Sequence, residues 1–398
     1  MTREELTNKF LESDSKNYIL QLPTGYGKTL LSLKKTKQWL KNDDKILIAI
    51  PRLINKKEWV KEIHKWHLED MLDKITFTTY ISLPKCCDPN KRWNTLILDE
   101  GHHTSPRCRE ALQYMNVSYV FVLSATLKRD LLYYFNTKYH PEIYNIRMKD
   151  AIENEVLPDP RVILIEMNLD NIKKDFIIEK NIKKNTNPSN VITIDYNQKW
   201  NYRNYQGPLY IRCSQQQYYN DLSGLIEWYK RRGQSNSAMR NIWLHKAGER
   251  LKWLAAQKEE TVKSILKLLK NYRALTFCQS IEQSEKLGCP CVNSKIGTEN
   301  LDKFNSKKVK HIASVDMLTE GLNPVDCKIG LFQMINSSDR ITIQRVGRIL
   351  RHKEPVLIFP YYVYTREQEI INKMLANYNP ELVIRLQVNN ISNIKHYL

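Results

Sequence analysis

Two segments separated by 316 positions, from Lys28 to Gln344, constrain this fold more than any other feature. Pro23-Thr24-Gly25-Tyr26-Gly27-Lys28-Thr29 joins two glycines to a lysine and a threonine, the makeup of a loop whose N–H groups wrap a phosphate. Gln344-Arg345-Val346-Gly347-Arg348-Ile349-Leu350-Arg351 packs three arginines around one glycine on a stretch that reads as helix. Such a concentration of positive charge calls for a polyanion beside it. One phosphate chain can touch both segments only if separate domains face each other. That geometry suggests a motor that closes on a nucleotide.

Length agrees with two domains. The chain has 398 residues, beyond the usual single core, and splits by default into units of about 150 to 200 residues. Hydrophobic residues at 42% and charged residues at 26% imply a packed core rather than wholesale disorder. Lys and Arg number 62 against 43 Asp and Glu, a net charge of +19, which attracts nucleic acid or an anionic membrane surface. The sequence holds no run of about 18 apolar residues. Its start, MTREELTNKF, lacks the apolar stretch of a signal peptide. Membrane and secretory readings therefore fall, a cytoplasmic location is expected, and nucleic acid is the favoured partner. The cysteines at 86, 87, 108, 213, 278, 289, 291 and 327 are scattered and expected to be reduced. His64, His67, Cys86 and Cys87 fit no zinc-ligand spacing, and Cys289-Pro290-Cys291 is too tight for a chelating pair.

Short apolar runs recur with helical segments between them at Tyr18 to Leu22, Lys45 to Ile50, Ile75 to Thr79, Thr95 to Leu98 and Tyr119 to Leu123. That rhythm predicts an α/β fold with a parallel sheet. A second set at Val162 to Met167, Arg273 to Cys278, Lys310 to Val315, Lys328 to Met334 and Val356 to Pro360 predicts a second α/β domain. The boundary is placed between Asp150 and Pro160, where Leu157-Pro158-Asp159-Pro160 stops any helix, giving domains 1–150 and 151–398. Residues 172–270 break the rhythm and read as a basic, aromatic, mainly helical insertion, with Lys183-Lys184, Tyr202, Tyr205, Tyr218-Tyr219, Trp228, Lys230-Arg231-Arg232, Trp243 and Trp253. Basic and aromatic residues so interleaved suit phosphates and bases. An amphipathic insertion with its aromatics in the core fits each residue singly as well.

The phosphate loop follows a strand and opens an apolar-periodic helix from Leu30 to Leu40. Gly25 and Gly27 free the backbone to wrap a β-phosphate, Lys28 reaches the β- and γ-phosphates, and Thr29 offers a hydroxyl to Mg²⁺. Pro23, Thr24 and Tyr26 complete the cradle. Leu22 stands where the general pattern has glycine. Downstream, Thr95-Leu96-Ile97-Leu98 ends in Asp99-Glu100-Gly101-His102-His103, acids where open α/β sheets place ligands. Asp99 suits Mg²⁺, and Glu100 suits orienting and deprotonating a water that attacks a phosphoanhydride. Alone, the pair also suits a helix N-cap. Ser124-Ala125-Thr126 follows the next strand, and its two hydroxyls could relay the γ-phosphate's state, with His102 in reach of that relay and His103 read as a surface residue.

Assembled, these residues resemble a superfamily 2 helicase or translocase of DExH type. Pro51-Arg52-Leu53 with Glu58-Trp59, Thr78-Thr79-Tyr80, Phe277-Cys278-Gln279-Ser280 and Met317 to Pro324 resemble motifs Ia, Ib, IV and V, and Gln344 to Arg351 resembles motif VI. The resemblance is strongest to compact phage helicases and the restriction subunit of type III enzymes. It implies two RecA-like domains, with ATP and Mg²⁺ between them and nucleic acid across the top. It implies an ATP-dependent DNA helicase or duplex translocase, with phage replication, recombination or repair among its settings and the host cytoplasm as its compartment. An RNA helicase, or an ATP-switched clamp without unwinding, is the alternative. By the same resemblance Gln344 contacts the γ-phosphate region, Arg348 and Arg351 are arginine fingers, Gly321 belongs to the nucleotide site, and Arg52, Thr79 and Thr319 touch the nucleic-acid backbone. Arg345 pairs with an acid in the interface or does less. Asn323 replaces a frequent Asp, and the upstream glutamine motif that reads adenine is not evident.

Overall fold

The computed structural model describes residues 2–180, 192–198, 207–293, 296–315 and 324–398. Its first sheet has six parallel strands: β1 (Asn17–Gln21), β2 (Ile46–Ile50), β3 (Ile75–Thr79), β4 (Arg92–Asp99), β5 (Asn116–Ser124) and β6 (Glu142–Asn145), in the order β3-β2-β4-β5-β1-β6. Helices cover both faces, so inner strands are buried on both sides and read as continuous apolar runs; all five residues of β2 are buried. Parallel strands deliver their C-terminal ends to one edge. The phosphate loop after β1, Arg52 after β2, Thr79 on β3, Asp99 on β4 and Ser124 on β5 therefore share that edge.

The chain continues through β7 (Arg161–Met167), then β8 (Lys174–Lys180), β9 (Ile192–Asp195) and β10 (Gly207–Cys213), which form a separate three-stranded sheet. Three helices follow, Gln215–Arg232, Ser237–Gln257 and Glu259–Leu268. The stretch 172–270, expected to be mainly helical, thus begins as sheet. Its strands were hidden because lysines and short runs dilute their apolar signal. Lys183, Lys184, Tyr202 and Tyr205 lie outside the described residues.

The second sheet adds β11 (Ala274–Phe277), β12 (Cys291–Val292), β13 (His311–Ser314), β14 (Ile329–Phe332), β15 (Val356–Tyr362) and β16 (Val383–Gln387) to β7, in the parallel order β12-β13-β11-β14-β15-β7-β16. Strand β15 runs through Pro360, which the sequence reading took as its end. Its pairing with β14 stops at Ile358, so the missing N–H of Pro360 removes no ladder bond on that side. The Pro360 carbonyl instead accepts a bond from Lys258 Nζ at 3.1 Å, and the same amine meets Glu367 at 2.6 Å with both side chains fully buried. This pair ties the base of the insertion to the second sheet. No described helix is long and apolar enough to cross a membrane.

Candidate active site

Strand β1 leads into the phosphate loop with the Leu22 N–H held by the Ser124 carbonyl at 3.1 Å. Gly25 and Gly27 take φ of 92° and 103°, the left-handed region that side chains resist. Gly27 caps the helix Lys28–Trp39 without a side-chain hydrogen bond, so the first-turn N–H groups and the helix dipole face the loop's concavity. Pro23 and Thr24 are buried, and the Tyr26 ring enters the core, so Tyr26 contributes backbone alone. Lys28 Nζ donates to the carbonyls of Leu22 and Pro23 at 2.7 and 3.3 Å. Burial presses its pKa down, while the nearby Glu100 and Asp99 hold it up.

Asp99 ends β4 with its Oδ2 accepting the Trp59 indole N–H at 2.9 Å and its carbonyl accepting the Tyr80 hydroxyl at 2.7 Å. Burial, then the Glu100 carboxylate, push the Asp99 pKa up to about 6, against the Trp59 bond and Lys28. Glu100 sits in left-handed conformation at φ 51°, a strain kept where structure around it demands the geometry. Gly101 must follow, because a Cβ there would lie 2.4 Å from Val122 Cγ1. His102 Nδ1 lies 3.3 Å from Glu100 Oε2 and 3.2 Å from Ser124 Oγ, and Ser124 Oγ donates to the Thr126 carbonyl at 2.8 Å. Glu100, His102, Ser124 and Thr126 form one continuous chain of contacts. His103, read as a surface residue, instead packs against Tyr80 with ring centroids 5.6 Å apart.

The arginine segment forms the helix Asp339–Ile349. At Gly347 the arginine helix touches the phosphate loop: a Cβ there would lie 2.6 Å from Thr24 Cβ and 3.2 Å from the Thr24 carbonyl. Its bare backbone lets this helix lie on the phosphate loop and brings Arg348 and Arg351 to a cleft of about 740 Å³ with Lys28, Thr29, Asp99 and Glu100. Burial and neighbouring Arg351 press the Arg348 pKa down, opposed by Glu100, Glu58 and Asp99. Arg345 turns the other way, into its own domain, with its guanidinium 5.5 Å from the Phe277 ring centroid. Gln344 is 1% exposed and does not line this cleft, and its amide has no hydrogen-bond partner among the described residues. Arg52 is exposed and Thr79 half-buried on the same edge, 3.4 Å from the Ser82 hydroxyl. Thr319 and Gly321 lie outside the described residues.

The cleft also holds residues given no role from the sequence. Glu58, Trp59 and Glu62 line it from the helix Lys56–Lys65, Leu157 from the interdomain connection, and Arg3 from the first helix. A Cβ on Gly27 would fall 2.7 Å from Arg3 Nη2. Trp59 was visible as part of motif Ia, but its bond to Asp99 depends on a helix crossing. Arg3 sits in a stretch with no motif at all.

Residues 2–129 match the family model described as type III restriction enzyme, res subunit. Solved structures extend the likeness over the whole chain. Saccharomyces cerevisiae Dbp5 bound to RNA and ADP BeF3 is 12% identical with a TM-score of 0.61, covering 100% of this chain and 93% of that one. What is shared is the fold, two parallel sheets flanked by helices. The chain also aligns with the Pyrococcus furiosus Hef helicase domain, at 14% identity and a TM-score of 0.50 over 93% and 97% of the two chains. The type ISP restriction-modification enzyme LlaBIII bound to DNA gives 12% identity and a TM-score of 0.54, over 100% of this chain and 32% of that one. No curated protein sequence matches it significantly. The res match covers residues 2–129, and the solved structures share the fold over the rest of the chain as well.

Proposed function

We propose that the chain is an ATP-dependent DNA helicase or double-strand translocase, built from units 1–150 and 151–398 that close on ATP. The approach of Gly347 to Thr24 carries this reading, since it puts charge from one unit onto the phosphate loop of the other. The loop N–H groups and Lys28 hold the β- and γ-phosphates. Glu100 orients and deprotonates the attacking water, while His102 fixes its carboxylate and links it to Ser124. Arg348 and Arg351 neutralise charge that develops on the transferred phosphoryl group, and only when the units are closed. Asp99 and Thr29 line the same cleft with hard oxygen donors, which fits Mg²⁺. Bound there, the ion would neutralise phosphate charge. Arg52 and Thr79 grip the nucleic-acid backbone across the shared edge.

The res match supports DNA over RNA, because restriction enzymes act on DNA. Turnover of ATP with single-stranded, forked and duplex DNA, set against RNA of the same sequence, tests the choice. DNA-stimulated hydrolysis with unwinding or translocation is expected. Stimulation by RNA alone would make the chain an RNA helicase, and stimulation without either movement would make it an ATP-switched clamp.

A further inference from the structure

The helices Gln215–Arg232 and Ser237–Gln257 form a hairpin that turns at Gly233, where a Cβ would lie 3.0 Å from the Arg240 backbone. The base of the hairpin is anchored. Tyr219, Leu251, Leu254 and Ala255 pack against the second domain, and the Tyr219 hydroxyl accepts the Arg366 N–H at 2.7 Å. The far half is different: no residue from 234 to 250 is buried. Leu225, Trp228, Ile242 and Leu244 are 40%, 45%, 37% and 53% exposed there. Apolar side chains gathered on a projecting element that they do not help to fold mark a contact surface.

Charge identifies the occupant. Lys230, Arg231, Arg232, Arg240, Lys246 and Arg250 stand against only Glu227 and Glu249 between 225 and 250. Leu225, Trp228 and Arg232 follow one another at helical spacing along one stripe, and the Arg232 guanidinium lies 3.8 Å from the Trp228 ring centroid. One indole face is thus backed by a cation while the side chain stays open to solvent. A flat π-surface amid phosphate-seeking charge suits a base, and a base can reach it only when unpaired.

We propose that the end of this hairpin binds unpaired nucleic-acid strand, with Trp228 as the stacking platform and the arginines around it as phosphate contacts. The inference rests on the reading of the chain as a nucleic-acid motor and adds to it where the separated strand is held. The test is fluorescence anisotropy of the full-length protein with labelled oligothymidine, oligouridine and a blunt duplex. Trp228→Ala is expected to weaken single-strand binding about 10-fold, Trp228→Phe to restore most of it, and duplex binding to change less than about twofold. Arg232→Gln is expected to flatten the salt dependence of single-strand binding. Unchanged single-strand affinity in Trp228→Ala, or an equal loss on duplex, overturns the proposal. So does a protein partner captured through this hairpin that single-stranded oligonucleotide fails to displace. Intact strand binding by Trp228→Ala together with loss of ATP hydrolysis in Lys28→Ala would sink the hairpin role alone, whereas no binding of either nucleic acid by the unaltered protein would remove the motor reading with it.

Discussion

At the cleft, Lys28, Asp99, Glu100 and Arg348 are drawn out of solvent and set against one another, and a close glycine contact seats the arginine helix on the phosphate loop. At the far half of the hairpin, nothing from 234 to 250 is buried and large apolar side chains face water. The first region is over-determined by the chain's own atoms. The second satisfies no internal need, which is why its composition is informative about an external partner. Strain and buried charge mark the place where chemistry is prepared, and unsatisfied apolar surface marks the place where something else must bind.

That contrast can be broken at several points. Gly347→Val places carbon inside Thr24, so stimulated ATP turnover is expected to fall by about 10³-fold or more, while circular dichroism shows two folded domains; near-normal turnover would mean that the contact at Thr24 is unimportant. Glu100→Gln and Lys28→Ala are expected to lose about 10² to 10³ in turnover, and Glu100→Gln should still bind a fluorescent ATP analogue. Lys258→Met leaves Glu367 buried and uncompensated, which should cost about 3 to 5 kcal/mol in urea unfolding. In the metal-free protein, affinity for Mg²⁺ should fall about tenfold per pH unit below about 6, read by calorimetric titration. The sign follows from the raised Asp99 pKa: the carboxylate is neutral below that value and gains the charge that suits a cation above it. An acid limb centred near 4 would contradict the burial assigned to Asp99. Leu244→Ser, at the hairpin's far half, should move stability by less than about 0.5 kcal/mol. A large loss there would show that the far half packs after all.

Much of the cleft was legible because its chemistry requires particular residues in order along the chain. Gly25, Gly27, Lys28, Thr29, Asp99, Glu100, Arg348 and Arg351 each line it. Central strands were legible too, since burial on both faces makes them continuously apolar. The edge strands β6 and β16 were not, being half-exposed and mixed in composition, although the edge strand β3 was. Trp59, Glu58 and Arg3 enter the cleft through packing between elements, which no local pattern encodes. Gln344 and Arg345 lie one turn before Arg348 on the same helix, where residues three and four apart share a face, yet Gln344 is buried without lining the cleft and Arg345 reaches the Phe277 ring, which local spacing does not foretell.

Domain closure as the condition for hydrolysis is tested most directly by Arg348→Ala, comparing ATP turnover with and without DNA alongside nucleotide affinity. The variant should bind nucleotide with an affinity close to that of the unaltered protein and lose nearly all DNA-stimulated turnover. Stimulated turnover at the level of the unaltered protein would contradict the role given to the second domain.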